Sequence, residues 1–489
     1  MITTSRLKDA LPASCCNLVL SLADHDHVHW AELEKKCPVI RKVLRHQATH
    51  DPQSGLPNLD LLMERADAAK AQATPFSLIF LVINGITEIG EHHGIAAALH
   101  TINAISGRIQ EAVQGHGFAA RIQGELFAAV IHQEEPEAVA HALWLSLTRP
   151  IPWQMAELHL VVAAGLVSSD DIPGSTEELV RAGYAAAKDG LANNHYGGVN
   201  LYSSTLGERL ERQYLIASRL SAVMSNGGLS LALQAKVNAS DGCLLGAEVL
   251  VRWQDLLLGT VPPSEFIPLA ERNGTITDIS VWVLHNALAI AAQWAPAGLE
   301  LSIAVNLSAV DLHHPLLIAC VRDALSASAF PPSRLIIELT ESAVAEDPDL
   351  AIRQLLQLKA MGIALSLDDF GTGYSSLSYL RRLPIDTLKI DRSFVADTPH
   401  DADAVAIVRS IVVLAQTLGM QTVAEGVETT EQALFLRGLG VDALQGYLFS
   451  RPIAPDQFMT MAQGCNSRFR KLLSLQSPGS ARPFPQGKT

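Results

Sequence analysis

Residues Ile363–Ser376 read IALSLDDFGTGYSS, an alternating apolar run that ends on two adjacent carboxylates, Asp368 and Asp369, and passes at once into a glycine-rich turn. A strand that stops on paired acids places like charges side by side, which is unfavourable unless something positive neutralises them. A divalent cation does this best, because carboxylate oxygens are the ligands that magnesium and manganese prefer. The plain alternative is an acidic turn in water, and the flanking chain decides between the two.

On either side of this stretch, short apolar runs alternate with longer helical ones as far as Gln463. The strand-like runs are Leu229–Val237, Leu244–Trp253, Leu299–Leu307, Leu335–Leu339, Ile363–Leu367, Thr387–Ile390, Thr422–Ala424 and Ala443–Phe449. Eight such runs with helices between them, over roughly 250 residues, predict an α/β chain with a (β/α)8-type barrel. In such barrels polar groups at the carboxyl ends of the strands share one mouth. Those ends carry Glu248, Asn306, Glu338, Asp368 with Asp369, Lys389, Glu425 and Gln445. Any one of these alone means little. One oxygen ligand per strand over five strands, with a lone lysine and a glutamine, is not what strand or helix packing produces. Such a set can hold two divalent ions if one carboxylate bridges them, the standard device for in-line cleavage of a phosphodiester. A lysine beside the attacking water can orient it and stabilise the developing charge.

Composition bounds the rest. At 489 residues, with 48% hydrophobic and 18% charged side chains, the chain is long enough for several domains with their own cores. Its net charge of −14 argues against a broad basic face that grips DNA, and is compatible with a small anionic ligand held through metal ions. Six cysteines (Cys15, Cys16, Cys37, Cys243, Cys320, Cys465) form no CxxC pair, which fits a reducing cytoplasm. The run Leu11–Ala23 is too short and too polar to span a bilayer, and no later window reaches membrane length. Residues 1–48 are expected to be a short helical lead-in over 31–46. His25, His27 and His29 stand at period two before it, a spacing read as a solvated loop in preference to a metal site. An amphipathic helix at 206–224 is expected to join two halves, and 464–489, rich in basic residues, Pro, Gly and Ser, to form a loosely ordered tail.

The barrel half resembles the EAL phosphodiesterase family over about Leu210–Gln463. The matching segments are AEVLVRW with Glu248 and Arg252, VNLS with Asn306, ELTES with Glu338 and Glu341, and DDFGTGYSS with Asp368 and Asp369. LKIDRSF with Lys389 and Asp391, AEGVE with Glu425, and LQGYLFSRP with Gln445 complete the set. The resemblance implies hydrolysis of cyclic di-GMP to linear pGpG with two Mg2+ or Mn2+ ions. It implies that Glu248, Asn306, Glu338 and Asp368 hold one ion, and that Asp368, Asp369 and Glu425 hold the other. Lys389 would contact the attacking water, and either Lys389 or Glu425 takes the proton. Gln234, Arg252, Asp391 and Gln445 are implied on the substrate side, and Glu341 is implied to brace the loop 371–376. One departure stands out: LALQAK puts Leu233 and Ala235 where the family usually has Tyr and Pro. This bears on affinity, and it leaves open a second reading, a receptor that binds cyclic di-GMP without cutting it and signals to a protein partner.

The stretch HDPQSGLPN from His50 resembles the opening of GGDEF domains, the modules that make cyclic di-GMP from GTP, and the likeness runs over 49–205. Lys188 falls at a position that contacts phosphate in that family. The signature hairpin is broken: where the family has RxGGDEF, this chain has Arg121-Ile122-Gln123-Gly124-Glu125-Leu126-Phe127. The first strand, Ser77–Asn84, shows Val82 and Asn84 where the family's acids are expected. The resemblance therefore implies a degenerate domain without cyclase activity. Homodimerisation and GTP binding as a regulator are the roles left to it, alongside that of an inert spacer.

Overall fold

The computed structural model describes residues 23–24, 27–28, 45–132, 135–193, 197–224, 227–345, 347–371 and 380–474. The expected lead-in helix over 31–46 falls almost wholly outside these residues, as do His25, His29, Cys15, Cys16 and Cys37. The chain forms two compact units that divide between Arg212 and Gln213.

The first unit contains α1 Leu59–Ala71, β1 Ser77–Asn84, α2 Ile86–His93, α3 Ile95–Val113, β2 Gly117–Gln123, β3 Leu126–Ile131, α4 Pro136–Leu147, β4 Val161–Ser168, α5 Thr176–Asn193 and β5 Gly197–Leu201. The strand order is β2-β3-β1-β4-β5, with β1 at the centre, antiparallel to both neighbours. Alternation along β1 serves two cores. Leu78 and Phe80 pack with Leu62 of α1 and Leu179 of α5, while Ile79, Leu81 and Ile83 pack with Ile105 of α3 and Leu143 of α4. A sheet covered by helices on both faces buries every position of its central strand, and here only Asn84 at the end of β1 reaches solvent.

A helix, α6 Ser204–Leu220, crosses the division and gives way to a turn, four residues short of the expected end at Met224. The second unit then supplies the barrel strands β6 Leu229–Asn238, β7 Leu244–Asp255, β8 Ser302–Leu307, β9 Leu335–Thr340, β10 Ala364–Phe370, β11 Thr387–Ile390, β12 Gln421–Ala424 and β13 Ala443–Gln445. Each falls on an expected run, although β8 starts later and β13 stops earlier. The main covering helices are α7 Pro263–Asn273, α8 Ile276–Ala291, α9 Leu317–Ser328, α10 Pro348–Ala360, α11 Ala402–Leu418, α12 Thr430–Leu439 and α13 Pro455–Ser474.

The strands close in the order β6-β13-β12-β11-β10-β9-β8-β7, with β6 pairing back onto β7. Seven run parallel, and β6 is antiparallel to both its neighbours. The reason is the short turn after β6, where Asn238 Oδ1 accepts hydrogen bonds from the backbone and hydroxyl of Ser240 and Gly242 adopts φ 71°. Parallel strands need a long crossover, so strands joined this tightly must be antiparallel.

The expected loose tail from 464 is helical as far as Ser474. Phe469 and Leu473 are buried in the barrel core, and Phe469 stacks edge-on against Phe449. Arg470 and Lys471, two of the basic residues that suggested a solvated end, are exposed on a helix whose Phe469 and Leu473 are covered. Residues 475–489 lie outside the described set.

Candidate functional site

Paired carboxylates at the end of β10 pose a geometric problem, because successive strand residues point to opposite faces. A bulge solves it. Leu367 pairs with Leu388 and Phe370 with Ile390, so β10 carries one residue more than β11 across this stretch. Asp369 absorbs the extra residue in a left-handed conformation, φ 54°, uncommon for a residue with a Cβ. Both acids thereby serve the same mouth: Asp369 feels the charges of Asp391, Lys389 and Glu248.

Around Asp368 the strands bring together the residues expected from sequence. Carboxylate oxygens of Glu248, Glu338 and Asp368 lie within 4.8 Å of one another. Among them sits the fully buried ammonium of Lys389, 2.8 Å from Asp368 Oδ2, 3.0 Å from Glu338 Oε2, 2.6 Å from Glu425 Oε1 and 3.7 Å from Glu248 Oε2. Asn306 Nδ2 donates to Glu248 Oε1 at 2.8 Å. Gln445 Nε2 donates to Glu248 Oε2 at 2.6 Å and to Gln234 Oε1 at 3.1 Å. Arg252 is half-buried and lies in the electrostatic reach of Glu248 and Tyr447. Glu341 Oε2 accepts from the amide of Gly371 at 3.5 Å, at the start of the glycine loop, whose residues 372–379 lie outside the described set. Asp391 caps the short helix Arg392–Ala396 by accepting from the Ser393 amide at 2.9 Å, which orients its carboxylate toward the backbone.

The electrostatics of this cluster are uneven. Burial acts most strongly on Glu248 and would raise its pKa. The ammoniums of Lys389 and Lys236, with the amides of Gln445 and Asn306, outweigh it and hold the group at about 2. Burial pushes Glu425 up to about 8; Lys389 opposes this, and the charges of Asp368 and Glu248 add to it. Burial pulls Lys389 down, but the four carboxylates around it prevail and hold it well above its ordinary value. Asp369 is raised, by burial first and then by Asp391.

Sequence reasoning missed Lys236, which had Lys389 as the only lysine of the site. Lys236 is buried and pairs with Glu338. The available signal was its place two residues after Gln234 on an alternating strand, which puts both side chains inside the barrel. The departure at Leu233 and Ala235 also has a local account. The Ala235 amide donates to Ser450 Oγ at 3.1 Å, a bond that proline could not make.

These residues fit a divalent cation. Three buried carboxylates converge within bonding reach of a common point, and Gln445 Oε1 is buried there without a protein hydrogen-bond partner among the described residues. A closed α/β barrel with such an acidic centre at its strand ends defines a barrel protein built to bind cations. The chain belongs to the EAL family: residues 217–452 match the EAL domain, and residues 48–188 match the diguanylate cyclase, GGDEF domain. It is 36% identical over 423 residues to the bifunctional diguanylate cyclase/cyclic di-GMP phosphodiesterase MucR of Pseudomonas aeruginosa, covering 84% of this chain and 61% of MucR. It is 31% identical over 446 residues to the cyclic di-GMP phosphodiesterase NbdA of the same organism, covering 89% of this chain and 55% of NbdA. A structure of the EAL enzyme Bd1971 bound to cAMP and cyclic-di-GMP aligns with a TM-score of 0.50 and 27% identity, over 63% of this chain and 81% of that one. The chain thus spans between half and two-thirds of the length of these two curated relatives. Among the described residues no helix is long and apolar enough to cross a membrane.

Proposed function

We propose that this chain hydrolyses cyclic di-GMP to linear pGpG at the barrel mouth, with Mg2+ or Mn2+ as cofactor and two ions at work. The observation that carries this reading is the convergence of Glu248, Glu338 and Asp368 around Lys389, with Asn306, Glu425 and Gln445 against them. Glu248, Asn306, Glu338 and Asp368 would hold one ion, and Asp368, Asp369 and Glu425 the other. Divalent cations, when bound, withdraw charge from the phosphoryl oxygens and acidify water. The chain's own residues do the rest. Lys389 bonds carboxylate oxygens of the cluster, and its ammonium stands where it would orient the attacking water. Water oxygen bonds to phosphorus, the bond from phosphorus to the ribose oxygen breaks, and that oxygen leaves with a proton. Glu425, paired with the Lys389 ammonium, accepts the attacking water's proton and is the source of the proton that the leaving oxygen takes. Arg252, Gln234 and Asp391 flank the mouth and position the dinucleotide, Gln445 fixes Glu248 and the water, and Glu341 braces the loop after Asp369.

The test is incubation of purified protein with cyclic di-GMP and either metal. Product pGpG is expected, and turnover in Glu248→Ala should fall by at least about a hundredfold. Absence of product with both metals overturns the reading. The first domain acts as a cyclase-inactive module that dimerises the chain or binds GTP as a regulator. The reaction belongs to the cytoplasm, in keeping with the free thiols of Cys243 and Cys320. Leu233 and Ala235 favour a second reading, a receptor that holds cyclic di-GMP intact. Tight binding with full recovery of the dinucleotide after long incubation with metal would select it.

A further inference from the structure

Lys236 approaches the cluster from below. Because β6 runs opposite to its neighbours, moving two residues along it from Gln234 moves one layer toward the amino ends of the other strands. Gln234 pairs with Glu248, whereas Lys236 pairs with Gly246 on one side and Gln445 on the other. Its ammonium bonds Glu338 Oε1, while Lys389 holds Oε2 of the same carboxylate from above at 3.0 Å. Glu338 is wholly buried between these two cations.

Beneath Lys236 the barrel is hollow. Its amino-end layer sets Gly246, Ser302, Ser366 and Thr387 beside Ile336 and Val423, so that small or hydroxyl-bearing residues take several of the places where barrels commonly stack large branched side chains. The resulting cavity of ≈350 Å3 reaches up to Lys236 and Glu338. Ser366 Oγ, on its wall, is buried without a protein partner among the described residues. The hollow has room and polar partners for water, so the ammonium donors of Lys236 not spent on Glu338 can be satisfied without drawing on the carboxylates above.

The two lysines therefore differ in kind. Lys389 occupies the space among the carboxylates that a cation would take. Lys236 stands behind Glu338 and is not displaced when that space is filled. We propose that Lys236 is a fixed counter-cation for Glu338, holding the carboxylate in place and limiting how tightly the cluster grips a divalent ion. This rests on the reading of the cluster as a divalent-cation centre. The field of Lys236 also reaches Glu248, whose carboxyl it helps to hold down.

Full-length protein, stripped with chelator, is to be titrated with Mn2+ by calorimetry as wild type, Lys236→Gln, Lys236→Met and Lys236→Arg. Removing a positive charge next to a ligand carboxylate should tighten Mn2+ binding by about tenfold or more in the Gln and Met variants. The gain in melting temperature on adding Mn2+ should grow as well. The Arg variant should bind within about threefold of wild type, since its charge is kept. A merely structural lysine would lower the melting temperature with and without Mn2+ alike and leave the affinity unmoved. Unchanged or weaker binding in Lys236→Gln, with wild-type binding intact, overturns the proposal. If both neutral variants fail to fold, an Arg variant whose affinity departs tenfold from wild type overturns it. Wild-type protein that takes up no Mn2+ overturns the metal-centre reading, and this inference with it.

Discussion

Asp369 shows how one backbone angle shapes the chemistry. Without the bulge and the left-handed φ of 54°, the second acid of the pair would face the helical layer and the mouth would lose a carboxylate. The same crowding of acids makes the metal-free protein sensitive to pH in two opposite ways. Glu425, raised to about 8 by burial and its acidic neighbours, contributes stability that is fully present below its ordinary value of 4.5 and lost as pH rises through 8. Glu248, held at about 2, contributes stability present above 4.5 and lost as pH falls toward 2. In chelator, the melting temperature should therefore drop between about pH 4.5 and 8 from Glu425, and Mn2+ should abolish the drop. Affinity for Mn2+ should rise with pH over the same window, because the proton on Glu425 competes with the ion. A melting temperature flat across that range in chelator would contradict the assignment. Lys389→Met leaves four carboxylates facing each other with Lys236 alone. It should destabilise the chelated protein by about 3–5 kcal/mol in denaturant titrations, a deficit that Mn2+ reduces.

At the scale of elements, the barrel holds its mouth steady by packing at some distance from it. Helix α13 places Phe469 against Phe449 and Leu473 in the same core. Phe469→Ala should lower the stability of the barrel by about 3–5 kcal/mol, measured by urea unfolding followed through barrel tryptophans. A change under about 1 kcal/mol would mean that the helix does not dock in solution. In the first unit the hairpin between β2 and β3 is folded firmly although its signature is altered. Arg121 donates to Asp51 Oδ1 at 2.9 Å, to Gln53 Oε1 at 2.7 Å and to the Gly124 carbonyl at the turn. The remaining acid, Glu125, is drawn to the start of α2, where its carboxylate accepts from the amide and hydroxyl of Thr87 at 2.9 and 3.2 Å. The hairpin keeps the contacts that fold it, and Leu126, Val82 and Asn84 stand where the resemblance leads one to expect acids.

For the whole molecule the proposed function assigns unequal work to its two units. Restoring one acid by Leu126→Glu should yield no cyclic di-GMP from GTP, because β1 still ends without carboxylates for metal ions. Product detected by chromatography after incubation with GTP and Mg2+ would show that the hairpin alone limits the domain. A turnover assay on cyclic di-GMP with and without GTP then separates a regulatory first unit from a spacer. A change in rate with GTP marks the former; identical rates across a range of GTP concentrations mark the latter.

The amino-acid sequence by itself determined the eight strand runs and the site's polar residue in or just after seven of them. Periodicity two, glycine turns and isolated acids after apolar runs are local properties that the chain displays one segment at a time. The central strand Ser77–Asn84 was legible for the same reason. Tertiary structure alone decided what depended on closure. It made β6 antiparallel through a tight turn, which lowered Lys236 into the barrel behind Glu338. It set the one-residue slip at Asp368–Asp369 that turned both acids toward the mouth. It also gave the basic-looking segment after Gly464 an apolar face to bury, in Phe469 and Leu473. Register, layer and burial are relations between segments distant in the chain, and they come into being only when the barrel closes.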